Sequence, residues 1–164
     1  MKFFSVYGYS KSGKTTTIEN LIKELIRRGY TVGSVKDIHF EGFAIDTEGT
    51  NTDRHKKAGA ELVTARGLYE TDILFQRRLN IPEILNFYDQ DYVIFEGTSD
   101  YSMPRILCST SIEDIELRIN KDVFAISGII SAEIKGYKNL PAINSLTNIE
   151  KLTDLVEKNA ELWK

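Results

Sequence analysis

The chain has 164 residues, of which 41% are hydrophobic and 27% are charged, and its formal net charge is −3. This length suits one domain with a buried core. The mild negative charge argues against nucleic-acid binding, which needs a basic surface, and no apolar run approaches the roughly 18 residues that span a bilayer. The single cysteine, Cys108, has no internal partner. No signal-peptide pattern is visible, so we expect a cytoplasmic protein with no nucleic-acid or membrane partner.

Short β-rich runs alternate with helical patterns along the chain. The predicted strands are 3–7, 30–35, 61–65, 69–75, 92–95, 105–109 and 123–130. The predicted helices are 15–28, stopped by Gly29, a short helix capped by Thr52 or Asp53 that ends near Gly59, 81–88, opened by Pro82, and 148–162. Residues 36–52 form a long polar connection and are a candidate functional loop. This alternation predicts an α/β sandwich with a mostly parallel central sheet.

The stretch GYSKSGKTTT follows the first predicted strand and opens the first predicted helix. Gly8, Gly13, Lys14 and Thr15 complete the pattern G-x-x-x-x-G-K-[ST], the P-loop. Glycines let successive N–H groups face phosphate oxygens, and the helix adds its positive dipole end. We predict a single P-loop nucleotide-binding domain over residues 1–164, built as a three-layer sandwich. The predicted phosphate-binding residues are Gly8, Tyr9, Ser10, Lys11, Ser12, Gly13, Lys14, Thr15 and Thr16.

A second carboxylate is expected at the end of a neighbouring buried strand, where it serves the magnesium ion of the nucleotide. Glu96 leaves the apolar run 92–95 and is followed by Gly97, which permits close approach of the main chain to a γ phosphate. We therefore predict Thr15 and Glu96 as magnesium contacts and Lys14 and Glu96 as catalytic residues. Asp91 is less attractive because it precedes the strand. The alternative is that Glu96 only ends a solvated strand.

Sequence signals that separate the classes of P-loop protein are weak here. The N-K-x-D guanine motif of many GTPases is missing, since Asn120-Lys121-Asp122-Val123 lacks the aspartate at the right spacing and precedes its strand. A small-molecule kinase is an alternative. Kinases use several lid arginines over the transferred phosphate, but residues 98–122 contain only Arg105 and Arg118. This scarcity argues against the kinase alternative.

The chain resembles the MobB family, the molybdopterin-guanine dinucleotide biosynthesis adapter proteins. The resemblance rests on GYSKSGKTTTIENLIKELIRRGYTVGSVK, FAIDTEGTNTDRHKKAGAELV and DYVIFEG, in the family's order over nearly the whole chain. The segment Arg54-His55-Lys56-Lys57-Ala58-Gly59 is more specific than the P-loop. In place of the family's histidine-rich stretch there is a single His39, and Thr98-Ser99 replaces an expected basic residue. A paralogue that serves another cofactor is therefore a further alternative.

The resemblance implies a protein that binds GTP with Mg²⁺, hydrolyses it slowly and forms a homodimer. It also implies a partner, the molybdopterin guanylyltransferase that attaches GMP to molybdopterin. Gly8 to Thr15 would bind phosphates, and Glu96-Gly97 would serve the magnesium and the γ phosphate. Asp46, Arg54 and His55 would belong to the loop region that faces the nucleotide, the cofactor or the partner.

Several remaining polar residues have simpler interpretations. His39 and His55 are the only histidines, and without cysteine or carboxylate ligands at zinc spacing they favour hydrogen-bonded loop positions. Arg54, Lys56 and Lys57 fit a solvated helix face and an anion-binding surface equally well. Arg77 and Arg78 are expected in solvent. Cys108 lies in an apolar strand and is expected in the core, since nothing near it in sequence marks an activated thiolate.

Overall fold

The computed structural model describes residues 1–163, which divide into two compact units. The second unit is Ile38–Asn86, and the first comprises the described residues on either side of it. That the whole chain forms a single domain stays a prediction. Within the described residues, no helix has both the length and the apolar character needed to cross a membrane.

The elements alternate between strands and helices, as the sequence predicts. In chain order they are β1 (Lys2–Tyr7), α1 (Lys14–Arg27), β2 (Val32–Lys36), α2 (Asn51–Lys57), β3 (Leu62–Arg66), β4 (Thr71–Phe75), α3 (Ile81–Leu85), β5 (Tyr92–Glu96), β6 (Arg105–Cys108), α4 (Ile112–Arg118), β7 (Val123–Ser127), a 3₁₀ turn (Ile129–Ala132), β8 (Gly136–Tyr137), β9 (Leu140–Pro141), α5 (Ile149–Asn159) and β10 (Glu161–Leu162).

The first unit is built on a six-stranded sheet. Five strands lie in the order β2-β5-β1-β6-β7 and are mutually parallel, while β10 pairs antiparallel with the start of β1. The predicted mostly parallel sheet is therefore confirmed. Because the carboxyl ends of parallel strands share one edge, the loops after β1, β2, β5, β6 and β7 emerge together, and this is the edge where such sheets bind ligands.

Helices cover both faces of this sheet. Successive side chains of a strand point to opposite faces, so each face packs its own set of side chains against helices. Phe4 and Val6 of β1 pack in a buried cluster with Leu21 of α1 and Leu152 of α5. Tyr7, at the end of the same strand, packs on the opposite side in a cluster that includes Ile115 of α4. The result is a layered α/β arrangement that holds the start of α1 above the end of β1.

The second unit consists of α2, the antiparallel hairpin β3-β4 and α3, and its hairpin register runs from Leu62↔Phe75 to Arg66↔Thr71. The predicted caps of α2 are wrong: Thr50 is the N-cap, and its hydroxyl accepts from the Asp53 N–H. Asp53 lies inside the helix. The helix α3 is capped by Asn80 and ends at Leu85 rather than at Tyr88.

Three further differences concern the C-terminal half. The predicted strand 123–130 ends at Ser127 because Gly128 has φ +78° and turns the chain into the 3₁₀ turn. The predicted helix 148–162 ends at Asn159, and residues 161–162 form β10 instead. The helix α4 was not predicted; Ser111 caps it, accepting from the Asp114 N–H.

Candidate nucleotide site

The loop between β1 and α1 has main-chain angles that depend on glycine. Gly8 has φ +147° and Gly13 has φ +93°, a region that residues with a side chain rarely adopt. A Cβ on Gly8 would lie 2.0 Å from the Cys108 carbonyl oxygen of β6. Gly13 is therefore required by the turn, and Gly8 is required both by the turn and by the neighbouring strand.

The start of α1 is open to an anion. Its N-cap is Gly13, which makes no side-chain cap, and its first turn contains no acidic residue. The first N–H groups of a helix have no partner inside the helix, and the helix dipole places partial positive charge there. Lys14 and Thr15 occupy this first turn. A helix start of this kind is suited to binding a phosphate group.

The loop after β7 packs directly against the phosphate loop. The Ile129 N–H donates to the Ser12 carbonyl at 3.2 Å. A Cβ on Gly128 would lie 2.2 Å from that same carbonyl oxygen, so only glycine permits this approach. Sequence reasoning missed Gly128; the available signal was a glycine directly after a buried strand of a parallel sheet.

The predicted magnesium contacts are brought together. β5 and β1 are parallel neighbours with Glu96 beside Val6, and the Thr15 Oγ1 lies 3.5 Å from the Glu96 Oε1. The same carboxylate oxygen accepts from the Lys36 Nζ at 2.6 Å. Lys36 ends β2, the other neighbour of β5, and was not predicted as a site residue. A hydroxyl and a carboxylate suit Mg²⁺, which usually takes few protein ligands besides water and phosphate oxygens.

Gly97 lies at the same edge but donates its N–H to the Val6 carbonyl at 3.0 Å, as the last rung between β5 and β1. Its φ is +82°. The glycine turns the chain sharply after Glu96, while its predicted contact with a γ phosphate stays a prediction.

Tyr9 joins two cations of the site. The Lys14 Nζ donates to the Tyr9 carbonyl at 2.6 Å, and the guanidinium of Arg118 lies 3.7 Å from the centroid of the Tyr9 ring. Ser10, Lys11 and Thr16 are exposed. Lys11 has φ +62°. Its exposed position matches the expected solvated charge, whereas the position of Arg118 beside the loop was not foreseen.

Asp46, Arg54 and His55 all lie in the second unit. Asp46 accepts hydrogen bonds from the hydroxyls of Thr50 and Thr52, each at 2.9 Å. These bonds, with that from Thr52 the larger influence, lower the pKa of Asp46. The carboxylate thereby organises the start of α2. Arg54 and His55 are exposed on that helix.

The two lysines of α2 are engaged in ion pairs within the second unit. The Lys57 Nζ lies 2.8 Å from Asp53, and the Lys56 Nζ lies 3.6 Å from the same carboxyl group. The Lys57 hydrogen bond, followed by that of the Gly49 N–H, lowers the pKa of Asp53 to about 2. Arg54, exposed on the same helix, shares no ion pair with Asp53 among the described residues.

Other interpretations of isolated residues can be compared with the structure. Cys108 is buried, and burial raises the pKa of its thiol to about 12, so its predicted core role is confirmed. Asp91 accepts from the Thr31 N–H and hydroxyl, each at 2.8 Å, and serves the turn before β2. In residues 1–163, no group of three or more His, Cys, Asp or Glu side chains is arranged to hold a metal ion.

The chain is similar in sequence to one protein family and to several named proteins. Residues 3–131 match the family model MobB, described as molybdopterin guanine dinucleotide synthesis protein B. A Bacillus subtilis protein named as a probable molybdopterin-guanine dinucleotide biosynthesis adapter protein is 26% identical over 145 residues, which cover 85% of this chain and 83% of that protein. The adapter protein of Haemophilus influenzae is 33% identical over 107 residues, 62% of this chain and 60% of that protein.

Solved structures share the fold. The crystal structure of Bacillus subtilis MobB superposes with a TM-score of 0.79 at 23% identity, covering 98% of this chain and 99% of that chain. The MobB homologue of Bacillus stearothermophilus gives a TM-score of 0.70 at 23% identity, covering 96% and 97% of the two chains. The family model spans the P-loop, the connection 37–50, the β5 carboxylate and the loop after β7, so the chain belongs to the MobB family.

Proposed function

We propose that the chain is a GTP-binding accessory protein of molybdenum cofactor maturation, acting in molybdopterin-guanine dinucleotide biosynthesis. The observation that carries the nucleotide half is the placement of Thr15 and Glu96, 3.5 Å apart, beside an uncapped helix start. The family membership and the names of the relatives support the biosynthetic half. The partner is a molybdopterin guanylyltransferase, and the active form is a homodimer, which light scattering in solution tests.

Mg²⁺ fits the residues at this edge. The Thr15 hydroxyl and the Glu96 carboxylate would coordinate the ion, directly or through water, and the ion would offset the charge of the β and γ phosphates. Lys36 shares the Glu96 carboxylate, so the ammonium group must share or release this oxygen when a cation arrives. The Lys14 side chain supplies the mobile charge for the phosphates once it leaves the Tyr9 carbonyl.

The kinase alternative finds little support in Arg105, the first of the two arginines that follow β5. Arg105 is buried, and its guanidinium donates to the Thr98 carbonyl at 2.7 Å and to the Tyr101 carbonyl. An arginine that holds the main chain in this way is not a mobile lid residue. A paralogue role with another cofactor would leave the nucleotide site as described and change only the partner.

The first prediction concerns Lys14. The variant Lys14→Ala should weaken Mg²⁺-GTP binding at least tenfold, since a charge-assisted contact to phosphate is worth about 1.5–3 kcal/mol. Isothermal calorimetry with GTP and with ATP measures this, and GTP should bind more tightly. The matched control is Lys23→Ala, an exposed lysine of α1 outside the loop, which should bind nearly as the wild type does. Equal loss in both variants would mean a general charge effect, and equal affinity for ATP and GTP would favour the kinase alternative.

The biosynthetic half needs its own assay. Purified chain added to molybdopterin, GTP, Mg²⁺ and the guanylyltransferase should increase formation of molybdopterin-guanine dinucleotide. The Lys14→Ala variant should not. If wild-type chain binds GTP yet leaves dinucleotide formation unchanged, the paralogue alternative replaces this assignment.

A further inference from the structure

Arg118 lies beside the phosphate loop although it ends a different element. It is the last residue of α4, and its carbonyl accepts from the Tyr7 hydroxyl at 2.5 Å. From this anchor its side chain extends to Tyr9, where the guanidinium carbon is 3.7 Å from the ring centroid. A cation stacked this closely on an aromatic ring is held by the ring quadrupole.

Among residues 1–163, no carboxylate forms an ion pair with the Arg118 guanidinium, and its Nε is buried with no hydrogen-bond partner. Two other arginines with little exposed surface do have partners. Arg28 forms ion pairs with Glu24, Asp154 and Glu157, and Arg105 donates hydrogen bonds to two main-chain carbonyls. Partial burial of a cation without a partner costs free energy. The cost is offset when an anion enters the site.

The position of Tyr9 indicates which part of an anion Arg118 reaches. Tyr9 contacts the Lys14 Nζ through its carbonyl, at 2.6 Å, and Arg118 through its ring. The lysine of this motif serves the β and γ phosphates. Lys14 and Arg118 thus both contact Tyr9, the second residue of the phosphate loop.

We propose that Arg118 is a second cation of the nucleotide site, binding the terminal phosphate of a nucleoside triphosphate and so favouring GTP over GDP. The Tyr9 ring holds the guanidinium next to the loop, and rotation of the side chain brings its paired N–H groups to the phosphate oxygens. This inference rests on the proposed nucleotide binding. It makes Arg118 a specificity-determining residue contributed by the chain itself.

A purely structural role for Arg118 has different consequences. If the residue only fixes Tyr9 and the end of α4, its loss would disturb the whole loop and weaken every nucleotide equally. If it binds the terminal phosphate, its loss would weaken GTP binding and spare GDP. The ratio of the two affinities therefore separates the roles, whereas either affinity alone does not.

The test compares GTP and GDP affinities, with Mg²⁺, in the wild type, Arg118→Met and Arg118→Lys. We expect Arg118→Met, which keeps the long side chain, to lower GTP affinity about tenfold or more and to change GDP affinity less than about twofold. Arg118→Lys should recover part of the loss because it restores the charge. The control Lys121→Met removes an exposed cation three residues away and should leave both affinities unchanged. Thermal melts establish that each variant is folded.

Three outcomes would overturn the inference. Unchanged GTP affinity in Arg118→Met, with Lys14→Ala still defective, would reject the role of Arg118 while leaving the proposed function intact. Equal losses for GTP and GDP would assign Arg118 to loop structure. Binding of neither nucleotide by the wild type would reject the proposed function and this inference together. Should Arg118→Met fail to fold, Arg118→Lys decides, since a lysine cannot reproduce bidentate phosphate contacts and should still lower the GTP-to-GDP affinity ratio.

Discussion

Two glycines at the candidate nucleotide site, Gly8 and Gly128, are required by nearby main-chain atoms. Gly8 abuts the Cys108 carbonyl of β6, and Gly128 abuts the Ser12 carbonyl of the loop itself. These contacts involve backbone rather than the flexible end of a side chain, so the surroundings cannot yield at low cost. The loop shape is therefore fixed by the neighbouring strands as well as by its own sequence.

The substitution Gly8→Ala should lower the free energy of unfolding by about 2 kcal/mol or more, because it adds both left-handed strain and a clash. Chemical denaturation measures the change. The control Gly42→Ala places a Cβ where nothing lies within 4 Å, and it should change the free energy of unfolding by less than about 0.5 kcal/mol. A Gly8→Ala protein as stable as the control would mean that β6 shifts freely away from the loop.

At this scale the sequence predicts part of the site and no more. Gly8, Gly13, Lys14 and Thr15 are specified by a contiguous motif, and Glu96 by its place after a buried strand. Gly128 and Arg118 reach the loop, and Lys36 reaches Glu96, only because β7, α4 and β2 are positioned around β1 and β5. Their contacts depend on sheet order and on side-chain direction, which no local pattern encodes.

Helices α1 and α5 are joined at one end by a buried carboxylate and an arginine. Glu24 of α1 accepts from Arg27 at 2.7 Å and from Arg28 at 2.8 Å. Arg28 in turn lies 2.8 Å from Asp154 and 3.1 Å from Glu157 of α5. The hydrogen bonds from Arg27, then from Arg28, lower the pKa of Glu24 from 4.5 to about 2. This cluster holds α5 against the helix that begins at the candidate nucleotide site.

The pH dependence of stability follows from that shift. A carboxylate whose pKa is lower in the folded chain stabilises it fully above the unfolded value of 4.5, and this contribution disappears as the pH falls toward 2. Glu24→Gln should therefore be less stable than the wild type at pH 7, by about 1–3 kcal/mol for charged hydrogen bonds. The difference should shrink between about pH 4.5 and pH 2, measured by urea denaturation at each pH.

The control for this prediction is Glu19→Gln, an exposed glutamate of the same helix, which should lose little stability at any pH. A Glu24→Gln deficit that stays constant from pH 7 down to pH 3 would show that the side-chain shape matters and its charge does not.

Elements with strong patterns could be predicted from sequence, and those defined by distant contacts could not. β1, α1 and β5 follow from an amphipathic helix and two apolar runs, and their structural bounds differ by one or two residues from the expected ones. β10 forms because residues 161–162 pair with Lys2 and Phe3, at the opposite end of the chain. The helical periodicity continues past Asn159, but this strand pairing prevails over it.

For the molecule as a whole, the two units carry different parts of the proposed chemistry. The first unit contains the phosphate loop, Glu96, Lys36 and Arg118. The second contains the α2 residues Arg54, Lys56 and Lys57, which the sequence offers as sources of the extra positive charge needed for hydrolysis. Lys56 and Lys57 are held by Asp53, and Lys57 also lies 3.2 Å from Glu48. Arg54 is the remaining candidate of the three.

The last prediction is that the isolated chain hydrolyses GTP slowly. Rapid phosphoryl transfer needs a positioned water and a fixed positive charge on the developing oxygens. Arg54 is exposed, on a seven-residue helix that follows a long irregular connection. An exposed side chain of this kind has many rotamers, so fixing it in one orientation for the reaction costs conformational entropy. Turnover should therefore stay well below about one per second and should rise when the guanylyltransferase is added.

Arg54→Ala should abolish that rise without changing the basal rate, and Arg66→Ala, which changes an exposed arginine of β3, should retain it. Phosphate release under multiple turnover measures both rates, and vigorous hydrolysis by the chain alone, unaffected by Arg54→Ala, would place the decisive charge within the first unit.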